Sequence, residues 1–255
     1  MPRALSYAAC WLVACSALAC SGSSTSEGDD GAANEDPALT EVCGEYPGPD
    51  VAEALVDDLE DGDGQVSTVG GRNASWWVVS DETASATLDP PANAAPSPEL
   101  VPGERCGSRY AMRLTGEGFT SWGATLVAGM DYDDASQAIQ PVDLSAYRGL
   151  MFWARVGELH NSSVRVQFQD ENTEILGGVC NPEPGSADEC YNGWGTAILP
   201  LDTEWRLYRV PFANLGQRDF GYRAESFVTS AVYNIEWNLD PNAVFDLWID
   251  DLWFY

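Results

Sequence analysis

FDLWIDDLWFY, residues Phe245–Tyr255, closes the chain. Its apolar side chains alternate from Phe245 to Ile249, which is the period of a β-strand. The apolar set then resumes at Leu252, so the alternation slips by one residue at Asp250-Asp251. A slip of one residue is typical of a β-bulge. The segment therefore predicts a strand with a bulge, and a bulge can aim two carboxylates at a cation.

A period of two also runs through most of the chain from residue 56 onward. Val164–Gln169 and Tyr233–Leu239 alternate apolar with polar residues. Further strand candidates, rich in aromatic and β-branched residues, are Trp76–Val79, Tyr110–Leu114, Leu150–Arg155, Ala197–Leu199 and Trp205–Phe212. No segment shows a sustained helical stripe of apolar residues. About ten to twelve short strands separated by turn residues predict an all-β fold, an antiparallel β-sandwich or jelly roll.

The first 20 residues predict a lipoprotein-type signal peptide. Arg3 supplies a positive start, and Ala4–Leu18 is an apolar run too short for the roughly 20 residues of a membrane span. Lipidation is expected at Cys20 or at Cys15, with a slight preference for Cys20, and an ordinary secretory signal is the alternative. We therefore predict a protein of the bacterial cell envelope, lipid-anchored or secreted.

Composition separates a linker from a folded domain and limits the possible partners of the chain. Residues 21–43 are acidic and poor in large apolar residues, so they predict a disordered linker. Residues 44–255 then form one β-sandwich domain. The formal charge of −28 arises from 40 acidic and 12 basic residues, and the chain contains no Lys. Such a field repels phosphate backbones, which argues against nucleic acid as a partner. Contact with the membrane is expected through the lipid anchor only.

Four cysteines lie outside the signal peptide. An even number is typical of proteins that form disulfides in an oxidising compartment. Cys180 and Cys190 flank a loop that contains Pro and Gly, and they are the preferred local pair. Cys43 would then pair with Cys106, although other connectivities stay open. Each disulfide would stabilise the fold by about 3 kcal/mol. A zinc site is the rival interpretation, but the sequence has no Cys-x-x-Cys pair to support it.

The order of certain motifs resembles a known group of domains. These motifs are Val56–Gly62, Val142–Arg155, Trp205–Phe212 and Phe245–Phe254. Together they are similar to galactose-binding-like jelly rolls, and most similar to family 11 carbohydrate-binding modules and related exported bacterial domains. The resemblance covers roughly residues 50–255. It implies a non-catalytic β-sandwich, often with structural calcium, that binds glycan chains along a concave sheet face.

The resemblance also implies positions for that calcium ion. Glu60 and Asp250 match the places where similar modules hold calcium ligands, with Asp58, Asp61 and Asp251 as additional ligands. Ca²⁺ takes about six to eight oxygen ligands, so a carboxylate cluster suits it. The first and last strands of a sandwich commonly lie close together, so we expect Glu60 beside Asp250. A solvated acidic turn is the alternative.

Sugar recognition needs aromatic rings that stack on pyranose faces and planar polar groups that meet hydroxyls. The polar groups are predicted to be Arg165, Gln167 and Gln169, with Tyr208, Glu236 and Asn238 from other strands. The candidate rings are Trp122 and Trp194, together with Trp77, Tyr132 and Tyr191. Packing in the core is the alternative for each ring. Three further tryptophans, Trp153, Trp237 and Trp248, are predicted to be core residues.

The sequence offers no catalytic motif. His160 is the only histidine and lies in a segment that reads as a turn, and the chain has no Gly-x-Ser-x-Gly elbow. We therefore predict that the protein is not an enzyme and that its partner is a polysaccharide or other glycan. The alternative is a surface structural or protein-interaction lipoprotein without sugar binding. A glycan-active enzyme is a third, weaker hypothesis.

Overall fold

The structure is a computed structural model, and it describes residues 38–40, 48–105, 107–136, 138–158 and 163–255. At 38–40 and 102–104 the backbone alone is described. The predicted signal peptide, the lipidation of Cys15 or Cys20 and the pairing of Cys43 with Cys106 lie outside these residues. So does His160. Within the described part, no helix is both long enough and apolar enough to cross a membrane.

The described residues form short strands joined by turns. In chain order the strands are β1 Ala38–Thr40, β2 Leu55–Asp57, β3 Gln65–Val66, β4 Ala74–Ser80, β5 Thr87–Asp89, β6 Glu99–Arg105, β7 Ser108–Glu117, β8 Ala124–Gly129, β9 Asp131–Asp133, β10 Ala138–Gln140, β11 Gly149–Val156, β12 Ser163–Asp170, β13 Trp194–Gly195, β14 Leu199–Pro200, β15 Arg206–Pro211, β16 Val232–Leu239 and β17 Phe245–Phe254. Short 3₁₀ segments lie at Ala52–Ala54, Val69–Gly71, Ile175–Gly177 and Phe212–Asn214.

These strands make two large antiparallel sheets. The eight-stranded sheet has the order β1-β15-β11-β17-β7-β5, with β2 also paired to β17 and β6 to β7. The seven-stranded sheet has the order β13-β12-β16-β8-β4-β3, with β14 also paired to β12. Strands β9 and β10 form a small separate ribbon. The prediction of an all-β antiparallel sandwich is confirmed.

The core lies between the two sheets and is rich in aromatic rings. Trp237 of β16 stacks on Trp76 of β4 at 5.6 Å between ring centroids. Phe152, from β11 of the opposite sheet, meets the same Trp237 edge to face, also at 5.6 Å. All three side chains are fully buried. Edge-to-face and offset pairs of this kind add about 0.5–1.5 kcal/mol beyond the burial of their area.

A second apolar cluster covers the outer face of the eight-stranded sheet. Its buried members include Trp153, Trp205, Trp248 and Trp253. Arginine side chains lie over these rings, with Arg105 above Trp153 and Trp205, and Arg113 above Trp248. The prediction that Trp153, Trp237 and Trp248 are packing residues is confirmed, although they belong to two different clusters.

The predicted bulge in β17 is confirmed. Phe152 pairs with Leu252, while the next residue of β11, Trp153, pairs with Asp250. Asp251 is therefore the extra residue of the bulge, and its φ of +41° lies in the left-handed region. The bulge leaves Asp250 fully buried on the outer side of the sheet.

One described strand lies before residue 44, where the sequence predicts that the domain begins. Strand β1 lies inside the segment that the sequence assigned to a linker, and its backbone pairs with Arg206–Tyr208 of β15. The domain boundary at residue 44 stays a prediction. Composition alone missed this strand because a short strand at the edge of a sheet needs few large apolar residues when its backbone groups are paired.

Candidate functional site

The outward face of the seven-stranded sheet carries a row of side chains across its four central strands. Gln167 of β12 pairs with Glu236 of β16, Glu236 pairs with Val127 of β8, and Val127 pairs with Trp77 of β4. Directly opposed residues on neighbouring strands project to the same face, with Cβ atoms about 5 Å apart. One half of this row is polar, and the other half is apolar and aromatic.

Glu236 is the centre of the polar half. Its Oε2 accepts hydrogen bonds from Gln167 Nε2 at 2.6 Å and from Gln169 Nε2 at 3.2 Å. Burial raises the pKa of this carboxyl, although the two amide donors oppose the rise. Gln167, Gln169 and Glu236 lie on one sheet face, as the sequence predicts. The alternation of apolar and polar residues along β12 and β16 determines the face to which each side chain points.

A second carboxylate, which the sequence analysis missed, lies on the same face. Glu174, in the turn after β12, is buried, and its Oε2 accepts a hydrogen bond from Asn234 Nδ2 at 3.0 Å. Burial and, next, the negative charge of Glu236 raise the pKa of Glu174 to about 7. Asn234 could have been found from the alternation of β16, but no sequence pattern marks a turn residue such as Glu174.

Aromatic rings stand on both sides of these carboxylates. Trp77 is half-buried, and its ring lies against Gly129, where a Cβ atom would come within 2.8 Å of the indole. Tyr191 is 49% exposed, and its backbone carbonyl accepts a hydrogen bond from Gln169 Nε2 at 3.4 Å. Burial and then the charges of Glu174 and Glu236 raise the pKa of the Tyr191 hydroxyl. Gln169 Nε2 donates both to the Tyr191 carbonyl and to Glu236, so the backbone of Tyr191 lies beside this carboxylate.

The predicted disulfide Cys180–Cys190 is confirmed and bears on the position of Tyr191. Tyr191 follows Cys190 directly and adopts a left-handed φ of +68°. Its backbone N–H also donates to the carbonyl of Thr173, at 2.8 Å. The cross-link and this hydrogen bond together tie the ring to the turn that carries Glu174.

Arg165 lies at the edge of the face, but its guanidinium is bonded to backbone carbonyls of neighbouring loops. Its Nη1 donates to the carbonyl of Thr196, and its Nη2 donates to the carbonyl of Gly216 at 2.6 Å. Burial lowers the pKa of Arg165 to about 10. The side chain therefore braces two loops beside β12. Asn238, predicted with this group, does lie on the face, where its Nδ2 donates to Thr125 Oγ1 at 2.9 Å.

Two predicted ligand residues lie on the core side of their sheets, Tyr208 buried and Trp194 partly buried. Tyr208 of β15 is only 1% exposed and stacks on Phe152 in the eight-stranded sheet, so its assignment to the binding face was wrong. Trp194 of β13 pairs with the inward-facing Phe168 and packs near Phe227, so its ring lies on the core side. Gly195 is the residue of β13 that lies on the outward face.

Trp122 lies beyond the end of the seven-stranded sheet. Its ring is 49% exposed and lines an open cavity of about 530 Å³ with Asp81 and Thr83. Asp81 Oδ2 accepts hydrogen bonds from three consecutive backbone N–H groups, those of residues 121–123. Hydrogen bonds from Thr83 and from these groups outweigh burial and lower the pKa of Asp81 to about 2. Tyr132 lies elsewhere, in the small β9–β10 ribbon.

The residues predicted to bind calcium do come together, but an arginine lies among them. Ser108 Oγ is 3.2 Å from Glu60 Oε1 and 2.7 Å from Asp250 Oδ2, so the expected proximity of Glu60 and Asp250 is confirmed. Arg105 Nη2 lies 2.6 Å from Asp250 Oδ2 and 2.5 Å from Asp251 Oδ2. Burial raises the pKa of Asp250, and the guanidinium of Arg105 opposes that rise.

The remaining predicted calcium ligands have partners of their own. Glu60 accepts hydrogen bonds from the backbone and side chain of Arg109, and Asp58 accepts one from the N–H of Glu60. Asp61 accepts one from the N–H of Asp63. In the part of the chain that the structure describes, no group of three or more His, Cys, Asp or Glu side chains is placed to hold a metal ion. An ion between Glu60 and Asp250 would have to displace Arg105, and calcium there stays a prediction.

Comparison with known proteins identifies the family. Residues 65–255 match the family model described as carbohydrate binding domain 30. No curated protein sequence matches the chain. Among solved structures, the chain is similar to a family 11 carbohydrate-binding module from Clostridium thermocellum in complex with a β-1,3-1,4-mixed-linked tetrasaccharide, with 14% identity, a TM-score of 0.46 and coverage of 70% of this chain and 87% of that chain.

A family 30 module of a cellulosomal cellulase from Clostridium thermocellum gives 14% identity, a TM-score of 0.46 and coverage of 71% of this chain and 90% of that chain. A family 11 module of another cellulosomal cellulase from that organism gives 14% identity, a TM-score of 0.48 and coverage of 81% and 95%. The match to the family model covers most of the chain, residues 65–255, and includes strands of both large sheets. The protein therefore belongs to the carbohydrate binding domain 30 family.

Proposed function

We propose that this protein is a non-catalytic, exported carbohydrate-binding domain that engages a neutral glycan on the outward face of its seven-stranded sheet. The observation that carries the proposal is the row Gln167–Glu236–Val127–Trp77, in which the partly exposed Glu236 and Trp77 lie two strands apart on one sheet face, in a chain of this family. A pyranose ring presents an apolar face and hydroxyl edges, and this row offers a partner for each.

The charge on the face favours a neutral glycan over an acidic one. Glu236 and Glu174 lie on it, and the whole chain has a formal charge of −28. The guanidinium of Arg165 is turned toward backbone carbonyls and is 7% exposed as a residue, so it offers little to an anionic sugar. Uronic acids and sulfate groups would meet like charges here, whereas the hydroxyls of a neutral sugar could donate to the carboxylates.

Export and lipid anchoring are further parts of the proposal. Support comes from the signal-like first 20 residues, from Cys15 and Cys20, and from the Cys180–Cys190 disulfide, since disulfides persist in oxidising compartments. Membership of a carbohydrate-binding family supports the absence of catalysis. Glu174 and Glu236 are two carboxylates on one face and could in principle support hydrolysis, so the release of reducing sugar from the bound polysaccharide would contradict the non-catalytic part.

Affinity electrophoresis through gels that contain polysaccharide tests the binding face. Mixed-linkage β-glucan is the first probe, because one of the similar modules was solved with a mixed-linked tetrasaccharide. Pectin and a sulfated galactan serve as acidic probes of comparable size. With EDTA in the gel, we expect retardation by the neutral glucan and none by the acidic polymers. Retardation by the acidic polymers alone would contradict the proposed charge selectivity.

Variants then locate the face. Tyr191→Ala and Trp77→Ala are each expected to weaken retention at least tenfold, equivalent to about 1.4 kcal/mol, because ring stacking is lost. Leu100→Ala is the matched control, since this side chain is 71% exposed on a strand of the other sheet. Because Tyr191 is exposed, its loss should leave the melting temperature nearly unchanged. Full retention by both ring variants would place binding elsewhere, and Trp122→Ala then tests the cavity at the sheet end.

A further inference from the structure

The outward face contains buried oxygen atoms for which the structure shows no donor. Gln169 is fully buried and Asn234 is 4% exposed, and the two residues face each other across β12 and β16. Among the described residues, no hydrogen-bond donor reaches Gln169 Oε1 or Asn234 Oδ1. A buried acceptor without a partner costs about 1–3 kcal/mol, so such atoms commonly mark the place of an ion, a water molecule or a ligand.

The nitrogen atoms of the same two amides fix where these oxygens lie. Gln169 Nε2 donates to Glu236 Oε2 at 3.2 Å, and Asn234 Nδ2 donates to Glu174 Oε2 at 3.0 Å. Each amide group is therefore beside one of the two carboxylates. Because Gln169 and Asn234 are direct cross-strand partners, the amide and carboxylate groups together form one compact cluster.

The charge of the two carboxylates is not neutralised by the partners that the structure shows. Glu236 receives neutral amide N–H groups from Gln167 and Gln169, and Glu174 receives those of Asn234 and of the backbone of Ile175. Burial and then the negative charge of Glu236 raise the pKa of Glu174. Two carboxylates close together in such a place favour either a bound proton or a bound cation.

We propose that two carboxylates and two carboxamides on the outward face form a binding site for a divalent cation of the Ca²⁺ class. The four side chains are Glu174, Glu236, Gln169 and Asn234. All of their ligand atoms are oxygens, which suits Ca²⁺ and does not suit Zn²⁺, a metal that prefers nitrogen and sulfur. Protein oxygens fill only part of a coordination shell of about six to eight, and this leaves positions for water or for glycan hydroxyls.

This site is separate from the calcium position that the family resemblance implies. Glu60 and Asp250 lie at the eight-stranded sheet, with Arg105 next to Asp250. The proposed site lies on β12, β16 and the turn after β12, in the other sheet. Half of its ligands are amides, so a sequence search for clustered acidic residues does not reveal it.

Isothermal titration of CaCl₂ into the chelator-treated protein, without any glycan, tests the proposal. We expect one binding event that weakens at least tenfold in both Glu174→Gln and Glu236→Gln. Glu171→Gln is the matched control, because it makes the same change at an exposed position of the same turn and should bind as the wild type does. Near-ultraviolet circular dichroism checks that each variant keeps its fold. Asn234→Ala leaves both carboxylates in place and tests the carboxamide part of the site.

Three results would overturn the proposal. The first is no detectable heat of Ca²⁺ binding by the wild type at millimolar concentration. The second is unchanged binding in both Gln variants. The third is binding that Glu60→Gln abolishes and Glu174→Gln does not. Glycan retention is measured separately, with EDTA and with CaCl₂. A protein that binds Ca²⁺ but no glycan would contradict the proposed function and would still support the cation site.

Discussion

Arg105 and Asp250 form a buried ion pair, with Nη2 2.6 Å from Oδ2 and side chains that are 1% and 0% exposed. The same guanidinium bonds Asp251, the extra residue of the β17 bulge. It also lies over the rings of Trp153 and Trp205. One side chain therefore joins the bulge to the apolar cluster on the outer face of the eight-stranded sheet.

Removal of this arginine should destabilise the domain strongly. Arg105→Ala leaves Asp250 buried without its counter-charge, and the loss of one partner of a buried pair costs about 3–5 kcal/mol. Arg109→Ala is the control, because its pair with Glu60 is largely solvent-exposed, and such pairs contribute about 0–1 kcal/mol. Urea unfolding measures both. Equal effects of the two variants would contradict the structural role of Arg105.

A calcium ion held by Glu60 and Asp250 would make the melting temperature depend on chelation. If Glu60 and Asp250 hold calcium, EDTA should lower the melting temperature of the wild type and CaCl₂ should restore it, and Glu60→Gln should abolish that response. With Arg105 as the resident cation, Glu60→Gln should leave any effect of EDTA unchanged. Differential scanning calorimetry separates the two outcomes.

The stability of the domain should fall between mildly acidic and neutral pH. Asp57 is fully buried and accepts a hydrogen bond from Trp76 Nε1 at 2.7 Å. Burial raises the pKa of Asp57 from 3.8 to about 7. The folded protein therefore holds a proton that the unfolded chain has released. The resulting stability is complete below pH 3.8 and is lost as the pH rises toward 7, by about 1.4 kcal/mol per pH unit.

Urea unfolding at about pH 4.5, 5.5 and 6.5, which lie between the unfolded and folded pKa values of Asp57, measures this slope. Asp57→Asn cannot release a proton, so its free energy of unfolding should depend less steeply on pH than that of the wild type. Asp50→Asn, at an exposed position, should keep the wild-type slope. Identical slopes in all three proteins would show that Asp57 ionises equally in the folded and unfolded states.

A methyl group at residue 129 should weaken glycan binding. The Cβ atom of Gly129→Ala would lie 2.8 Å from the Trp77 ring, so the indole must shift, and overpacking of this kind costs about 1–3 kcal/mol. Gly216→Ala is the matched control, since a Cβ there meets no atom within 4 Å. Gel retention by β-glucan should fall for the first variant only. Unchanged retention by both would remove Trp77 from the binding face.

Loss of the disulfide should affect binding as well as stability. In the double variant Cys180→Ser and Cys190→Ser, the unfolded chain gains entropy, and the fold should lose about 2–4 kcal/mol. Tyr191 also loses its anchor, so retention by β-glucan should weaken at a temperature where the variant is still folded. A variant that is destabilised but binds fully would show that the cross-link has no part in positioning the ring.

Metabolic labelling with palmitate tests lipid anchoring of the full-length chain in a bacterial host. Cys20→Ser is expected to abolish incorporation, whereas Cys15→Ser is expected to retain it. The opposite pattern would assign the anchor to Cys15. Incorporation by neither the wild type nor the variants, with the protein found in the medium, would favour an ordinary secretory signal.

Strands whose two faces differ were predictable from the sequence. In β12 and β16 one face is apolar and the other polar, so alternation alone fixed the direction of Gln167, Gln169 and Glu236. The slip at Asp250-Asp251 revealed the bulge because the apolar positions on either side of it are unambiguous. These features are local, and a period of two suffices to find them.

In the eight-stranded sheet, the alternation of apolar residues does not predict side-chain direction, because both faces of the sheet are buried. Leu207 packs in the outer cluster and its neighbour Tyr208 in the main core, so alternation cannot tell which of them faces inward. Trp194 lies in a strand of two residues, too short for any period. Arg105 reaches Asp250 across 145 residues of sequence, a contact that only the folded topology creates.

The tryptophan cluster under Arg105 and Arg113 has a consequence for valency. Among the residues that the structure describes, this cluster covers the outer face of the eight-stranded sheet, so under the proposed function a polymer would contact only the opposite face of each molecule. We expect a stoichiometry of one chain segment per protein, and weak individual affinity suffices if many copies share one surface. Avidity for a long polysaccharide would then depend on how densely the molecules are displayed rather than on a second site within each.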